Sequence, residues 1–217
     1  MLTRIAVDTR TVSVWMAEIV AAVRAEGEYL TQLDAAIGDG DHGTNMRRGF
    51  DAVDKMLAVE DGAQPPGKLL ILVGKTLVAT VGGASGPLWG TAFRRAGRSL
   101  GTAPDFAGPE LVTALDEAIA GVVDLGAAQI GDKTMVDALQ PAVDALRAGV
   151  EAGDGLDSAL GVAAQAADDG ARATVPMQAR KGRASYLGER SIGHQDPGAT
   201  SAALVIRALE RAVTKAP

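Results

Sequence analysis

Val12-Ser-Val-Trp-Met-Ala-Glu-Ile-Val-Ala-Ala-Val-Arg-Ala-Glu-Gly-Glu-Tyr-Leu-Thr-Gln-Leu33 runs directly into Asp34-Ala-Ala-Ile-Gly-Asp-Gly-Asp-His-Gly-Thr-Asn45, and the reading of the first segment decides what the second can be. Val14, Ile19, Val20, Val23 and Leu30 recur at helical spacing on or near one face. This matters because Gly38, Gly40 and Gly43 match G-x-G-x-x-G, a dinucleotide fingerprint that needs a preceding β-strand and bare N–H groups facing pyrophosphate. Here a helix precedes the glycines, and Asp39 and Asp41 occupy two of the x positions. An α/β fold is therefore set aside in favour of a helical one. An EF-hand loop fails too, because it requires Asp or Asn at alternate positions, then glycine and a distal glutamate.

Residues 34–45 read instead as a metal-phosphate loop. Asp34, Asp39 and Asp41 offer only oxygen ligands, the type hard cations such as Mg²⁺ prefer, and Gly38, Gly40 and Gly43 let the backbone turn tightly enough to aim them at one point. Asp39 and Asp41 repel a bare phosphate, but a divalent ion between them reverses the sign and makes a seat for a polyphosphate. The competing reading is a solvated acidic turn that caps the next helix. Gly74-Lys75-Thr76 looks like the end of a P-loop, yet the motif demands glycine five residues earlier, where Leu69 stands. Lys75 is expected to interrupt an apolar run and snorkel to the surface.

Composition supports one helical domain over 1–217. Hydrophobic residues make up 47% of the chain and aromatics only 3%, so Ala, Val and Leu must fill the core, which favours closely packed helices. A net charge of −6 and a pI near 5.0 argue against a nucleic-acid partner, whose sites concentrate Lys and Arg. With no cysteine, disulfides, thiolate catalysis and cysteine-ligated zinc are excluded. The opening Met-Leu-Thr-Arg-Ile-Ala-Val-Asp carries an acidic residue too early for a signal peptide, and no stretch reaches the ~18 apolar residues a membrane span needs. A soluble, cytoplasmic protein is expected.

Eight helical segments follow from periodicity and punctuation. After 12–33, a second is capped by Thr44 or Asn45, and Pro65-Pro66-Gly67 ends the connection that follows it. The apolar run 69–81 is ambiguous between buried strand and buried helix, and is taken as helix. Pro87 opens a fourth to Leu100, Gly108-Pro109 a fifth to Leu125, and Asp132 or Thr134 caps a sixth to Val150. Residues 157–173 and 198–213 complete the set, leaving a long irregular segment at 175–197. The polar and glycine-rich stretches thus fall at helix junctions, 34–45, 82–87, 126–134 and 181–198. Several helix N-termini meeting at one rim make an anion site without a sheet. In Gly82-Gly83-Ala84-Ser85-Gly86-Pro87, Ser85 can offer its hydroxyl and N–H to phosphate; the stretch also reads as a plain helix–helix turn.

Asp34-Ala-Ala-Ile-Gly-Asp-Gly-Asp-His-Gly-Thr-Asn45, Gly83-Ala-Ser-Gly-Pro-Leu88, Gly131-Asp-Lys-Thr-Met135 and Gly182-Arg-Ala-Ser-Tyr-Leu-Gly-Glu-Arg-Ser-Ile-Gly-His-Gln-Asp-Pro-Gly-Ala199 together resemble the nucleotide-binding L subunits of dihydroxyacetone kinases. The resemblance spans almost the whole chain, and the length is similar to that of the separate subunit rather than the fused, ATP-dependent kinase. It implies an all-α, antiparallel eight-helix barrel with ADP or ATP at its rim. Two Mg²⁺ ions would be held by Asp34, Asp39 and Asp41. His42, Gly43, Thr44 and Asn45 would lie against the nucleotide, Ala84 and Ser85 on its phosphates, and Gly126 and Met135 beside adenine. Arg183 would reach the phosphates, with Asp41 and Arg183 as the catalytic pair, and Asp196, Pro197 and Gly198 would close the pocket. Read alone, Met135 is more readily core than ligand wall, and Arg183 more often a solvated surface residue. His194 stays open between a structural loop-to-core hydrogen bond and ligand contact.

The resemblance further implies a K subunit that presents dihydroxyacetone, a phosphohistidine protein of the phosphoenolpyruvate phosphotransferase system that recharges ADP, and compatibility with a homodimer. Two alternatives remain at this point: an ATP-dependent kinase for dihydroxyacetone or another ketose such as erythrulose, and a non-catalytic nucleotide-binding adaptor.

Overall fold

A computed structural model describes residues 6–60 and 62–215; residues 1–5, part of the stretch read against a signal peptide, lie outside the described residues. Among the described residues eight α-helices follow one another: α1 Thr9–Ile37, α2 His42–Leu57, α3 Pro66–Thr80, α4 Ser85–Leu100, α5 Gly108–Gly126, α6 Val136–Ala152, α7 Leu156–Ala173 and α8 Pro197–Thr214. A 3₁₀ helix, Arg183–Ser191, interrupts the irregular segment before α8. The ambiguous run 69–81 is helical, with Pro66 in its first turn. Two-residue strands, β1 Val7–Asp8 and β2 Asp105–Phe106, pair antiparallel; they are too short to leave a period-two signature.

Helix starts differ from the sequence expectation where a side chain reaches further than periodicity shows. The α1 helix begins at Thr9 because the Asp8 carboxylate accepts the Thr11 amide at 2.8 Å and its hydroxyl at 2.9 Å, a complete N-cap ahead of the apolar stripe. The α2 helix begins at His42, ahead of Thr44 and Asn45. Neither Asp132 nor Thr134 is the N-cap of α6, a position held by Met135. The Thr134 hydroxyl accepts the Val136 amide at 3.2 Å, and Asp137 reaches back from the first turn to accept the amides of Gly131 and Thr134 at 2.6 and 2.7 Å.

Each helix packs on its neighbours in sequence and α8 returns against α1, so the eight antiparallel helices close into a barrel around one hydrophobic core. Within it Phe93 meets the rings of Trp15, Trp89 and Phe50 at 5.6, 6.0 and 6.4 Å, and the Trp15 indole N–H donates to the Val205 carbonyl at 3.0 Å. Small residues supply the rest. Ala163, Ala164, Ala167 and Ala171 are all buried on α7, which lets it lie close to α6 and α8. Gly74 and Gly90 bring α3 and α4 into backbone contact: a Cβ at either would stand 2.5 or 2.7 Å from the other's carbonyl oxygen. The glycine of the false P-loop is thus a packing residue, and Lys75 beside it is exposed. No helix among the described residues is long and apolar enough to cross a membrane.

Alternation of direction has one consequence for function. In an antiparallel barrel every even helix starts at the same rim, so the N-termini of α2, α4, α6 and α8 share it with the C-terminal ends of α1, α3 and α5. Each such N-terminus carries about half a positive charge and unpaired N–H groups.

Candidate functional site

At that rim lies a cavity of about 380 Å³, lined by residues from all four polar junctions. The segment 34–45 is less of a loop than its composition implies. Asp34 belongs to the last turn of α1, His42 opens α2, and only residues 38–41 connect them. Gly40 has φ +74°, a left-handed conformation that glycine adopts without strain. Gly38 leaves room: a Cβ there would lie 2.1 Å from the Asp34 carboxylate. Asp34 Oδ2 accepts the amides of Asp41 at 2.8 Å and His42 at 3.1 Å. It thereby caps α2, whose own N-cap residue, Asp41, makes no side-chain cap bond.

Asp34, Asp39 and Asp41 each bring a carboxylate oxygen within 4.8 Å of the others, with Asp39 and Asp41 exposed. Three oxygens on a short connection, open to solvent on one side, fit a hard divalent cation that keeps several waters. The Arg183 guanidinium stands 3.0 Å from the Asp39 carboxylate, and its side chain is 68% exposed.

His42 is buried, at 8% exposure, and both ring nitrogens are engaged. Nε2 lies 3.0 Å from the Ser201 hydroxyl and Nδ1 3.2 Å from the Ser85 hydroxyl. Ser201 already donates to the Gly198 carbonyl at 3.0 Å, so its oxygen must accept from Nε2–H, and Ser85 must donate to Nδ1. Burial pushes the imidazole pKa down against the pull of Asp34, Asp41 and the Pro197 backbone, which keeps it in this neutral form. One imidazole thus joins the starts of α2, α4 and α8. Ser201, whose place in the network depends on a contact 159 residues away, had no signal in the sequence.

Asp196 is the N-cap of α8 and accepts the Ala199 amide at 2.7 Å. Burial pushes its pKa up to about 7, with the Ala199 bond and Lys133 opposing and Asp137 and Asp34 adding to the rise. Lys133, quoted in a motif but given no role by the sequence, is 1% exposed with φ +62°. Its ammonium donates to the carbonyls of Thr174, Met177 and Ser191 at 2.9, 3.1 and 2.8 Å, and to that of His194.

Most of the sequence-chosen residues meet at this one cavity: Asp34, Asp39, Asp41, His42, Asn45, Ala84, Ser85, Gly126, Met135, Arg183, Asp196, Pro197 and Gly198 all line it. Gly43 and Thr44 do not. Gly43 faces α1, where a Cβ would stand 1.9 Å from the Gly27 carbonyl oxygen. Thr44 points, with Arg47 and Arg48, into a separate surface depression. Helical rotation is the reason: of four consecutive residues in a first turn, two must face away. His194 lies apart as well. It is exposed, and the loop-to-core bond at this position is made by its backbone carbonyl with Lys133.

A helical barrel that gathers a carboxylate triad and four helix N-termini at one rim brings together the donor types that a metal-linked anion would need. The chain matches the DAK2 domain over residues 36–211 and belongs to that family. It is 46% identical over 196 residues to the "PEP-dependent dihydroxyacetone kinase, ADP-binding subunit DhaL" of Escherichia coli, covering 90% of this chain and 92% of that protein. It is 38% identical over 201 residues to the D-erythrulose kinase of Mycolicibacterium smegmatis, covering 92% of this chain but 34% of that longer protein. Among solved structures, the dihydroxyacetone kinase of C. freundii in complex with AMP-PNP and Mg²⁺ superposes with a TM-score of 0.69 at 30% identity, over 91% of this chain and 33% of that one.

Proposed function

We propose that this chain is the nucleotide-carrying subunit of a dihydroxyacetone kinase, passing a phosphoryl group from a Mg²⁺-bound adenine nucleotide to dihydroxyacetone held on a separate K subunit, with a phosphohistidine protein of the phosphoenolpyruvate-dependent phosphotransferase system recharging ADP. The observation that carries this reading is the meeting of the aspartate triad with the N-termini of α2, α4, α6 and α8 at one cavity, in a chain nearly coextensive with the E. coli subunit.

Asp34, Asp39 and Asp41 hold two Mg²⁺ ions in this reading, and the metal supplies charge neutralisation for a di- or triphosphate that three carboxylates would otherwise repel. Ala84 and Ser85 offer N–H groups at the start of α4 to phosphate oxygens. His42 and Asn45 form the phosphate-side wall, while Gly126 and the adaptable Met135 flank the base. Arg183 stabilises the transferring group, bidentately where geometry permits. Asp196, Pro197 and Gly198 close the pocket at the start of α8. No covalent nucleophile is required, because phosphoryl transfer depends on positioning and charge neutralisation.

Similarity to erythrulose kinases favours one second reading, exchange of free ATP with another ketose as acceptor. Mass analysis of nucleotide released on denaturing the purified protein separates the two. Resident ADP near one equivalent, retained through gel filtration in Mg²⁺ and lost to chelator, supports the coupled route. Nucleotide-free protein that turns over added ATP with a K subunit replaces it with the ATP-dependent one. If neither ATP nor the phosphorylated donor yields a sugar phosphate, the chain is a nucleotide-binding adaptor.

A further inference from the structure

Lys133 is buried at the base of a long excursion. Between the end of α7 and the start of α8 the chain runs through a long connection that includes the 3₁₀ helix Arg183–Ser191. Arg183 sits in that excursion, together with Lys181 and Gly182 on the cavity wall. The Arg183 side chain pairs with Asp39 at an exposed site, a contact of the kind that contributes little by itself, and the 3₁₀ helix that it opens lies against α1. The base is different. The Lys133 ammonium donates to Thr174 and Met177 on the outgoing strand of chain and to Ser191 and His194 on the returning one. An ammonium has three donors for these four acceptors, so one N–H is shared and no N–H is left unpaired.

The remaining ties are weaker single bonds between neutral groups: Ala179 N–H to the Ser191 hydroxyl at 2.9 Å, Gly193 N–H to the Val175 carbonyl at 2.8 Å and Arg180 N–H to the Asp132 carbonyl at 3.0 Å. Charge-assisted bonds are about twice as strong as neutral ones, and Lys133 takes two carbonyls on each side of the base where each of these bonds makes a single link. Its cost is clear from its environment: a lysine taken out of water, in a left-handed backbone conformation unusual for a side-chain-bearing residue. The same contact set reaches the start of α8 at the cavity, since the Thr174 hydroxyl accepts the Asp196 amide at 2.9 Å.

We infer that Lys133 is the positioning residue of the nucleotide site: its ammonium clamps the two ends of the 174–194 segment and so holds Arg183 over the aspartate triad. The inference rests on the nucleotide reading above. It is a role exercised through Arg183, without contact between Lys133 and the reacting atoms.

The test is a double-mutant cycle on Mg²⁺·ADP affinity, measured by titration calorimetry on protein stripped of nucleotide. Lys133→Met should keep the helical circular dichroism and weaken binding at least tenfold, with faster amide exchange confined to 178–191. Arg183→Ala should weaken wild type severalfold but change the Lys133→Met protein by less than twofold, because the arginine is already misplaced. Multiplicative effects, or wild-type affinity in Lys133→Met, overturn the inference. Ser191→Ala provides a check that does not depend on the folding of the lysine variant: with Lys133 still in place it should weaken binding less than threefold, and a tenfold loss would assign the clamp to the Ser191 hydroxyl instead. Failure of the wild-type protein itself to bind Mg²⁺·ADP sinks the nucleotide reading rather than this one.

Discussion

The Asp34 carboxylate accepts the backbone amide of Asp41 at 2.8 Å, so one candidate metal ligand fixes the backbone of another. The same oxygen caps α2 through His42, which ties the placement of the triad to the junction of the first two helices. Function and folding are therefore coupled unequally among the three aspartates.

Asp34→Ala should lose both metal binding and a helix cap, the latter costing about 1 kcal/mol, whereas Asp39→Ala and Asp41→Ala should lose metal and phosphoryl transfer with urea midpoints close to wild type. Turnover with a supplied K subunit and denaturation of the nucleotide-free proteins measure the two effects. Near-normal activity in Asp41→Ala would remove the triad from the mechanism.

Arg183 and a divalent cation compete for Asp39, because the guanidinium already occupies that carboxylate. Arg183→Ala should bind Mg²⁺ alone more tightly than wild type, yet bind Mg²⁺·ADP less tightly. Opposite signs in the two titrations are the expected outcome; a parallel loss in both would indicate general disruption of the rim.

Gly43→Ala tests packing against ligand contact. The added methyl would meet the Gly27 carbonyl at 1.9 Å and the Thr31 hydroxyl at 2.5 Å, forcing α1 and α2 apart, and overpacking of this kind costs at least 1–3 kcal/mol. A clear drop in the urea midpoint is expected. Unchanged stability with weakened nucleotide binding would return Gly43 to the ligand.

Asp196 gives the nucleotide-free protein a pH dependence of definite sign. Its folded pKa of about 7 lies above the unfolded value of about 3.9, so the folded state holds a proton that the unfolded chain releases between them. The contribution is fully present below pH 4 and is lost as pH rises through 7, amounting to at most about 4 kcal/mol over three units. Asp196→Asn, which keeps an N-cap oxygen, should flatten that slope in urea denaturation at pH 4.5 and 7.5.

Removing magnesium should lower the melting temperature of protein that carries nucleotide, since a ligand at a thousandfold excess over Kd adds about 4 kcal/mol to the folded state. Chelator should have little effect on protein already stripped of nucleotide. Equal melting curves with and without chelator in the loaded protein would contradict metal-dependent retention.

The sequence by itself determined most of the helices, because periodicity, caps and prolines act within a few residues: 12–33 reads as helix, and so excludes the dinucleotide fold, without any knowledge of what packs against it, whereas period alone left the apolar run 69–81 open between strand and helix. It also determined the triad, since Asp34, Asp39 and Asp41 are close in sequence and only a short turn is needed to bring them together. Which face each residue presents was decided by the tertiary structure. Gly43 and Thr44 share a motif with His42 and Asn45 but turn away from the cavity, because α2 must bury one side against α1. The hydroxyls of Ser85 and Ser201 on His42 and the clamp of Lys133 on carbonyls up to 61 residues distant carry no local pattern. Such contacts exist only once closure of the barrel brings helix ends to a common rim, where buried polar groups must find partners or leave the core uncompensated.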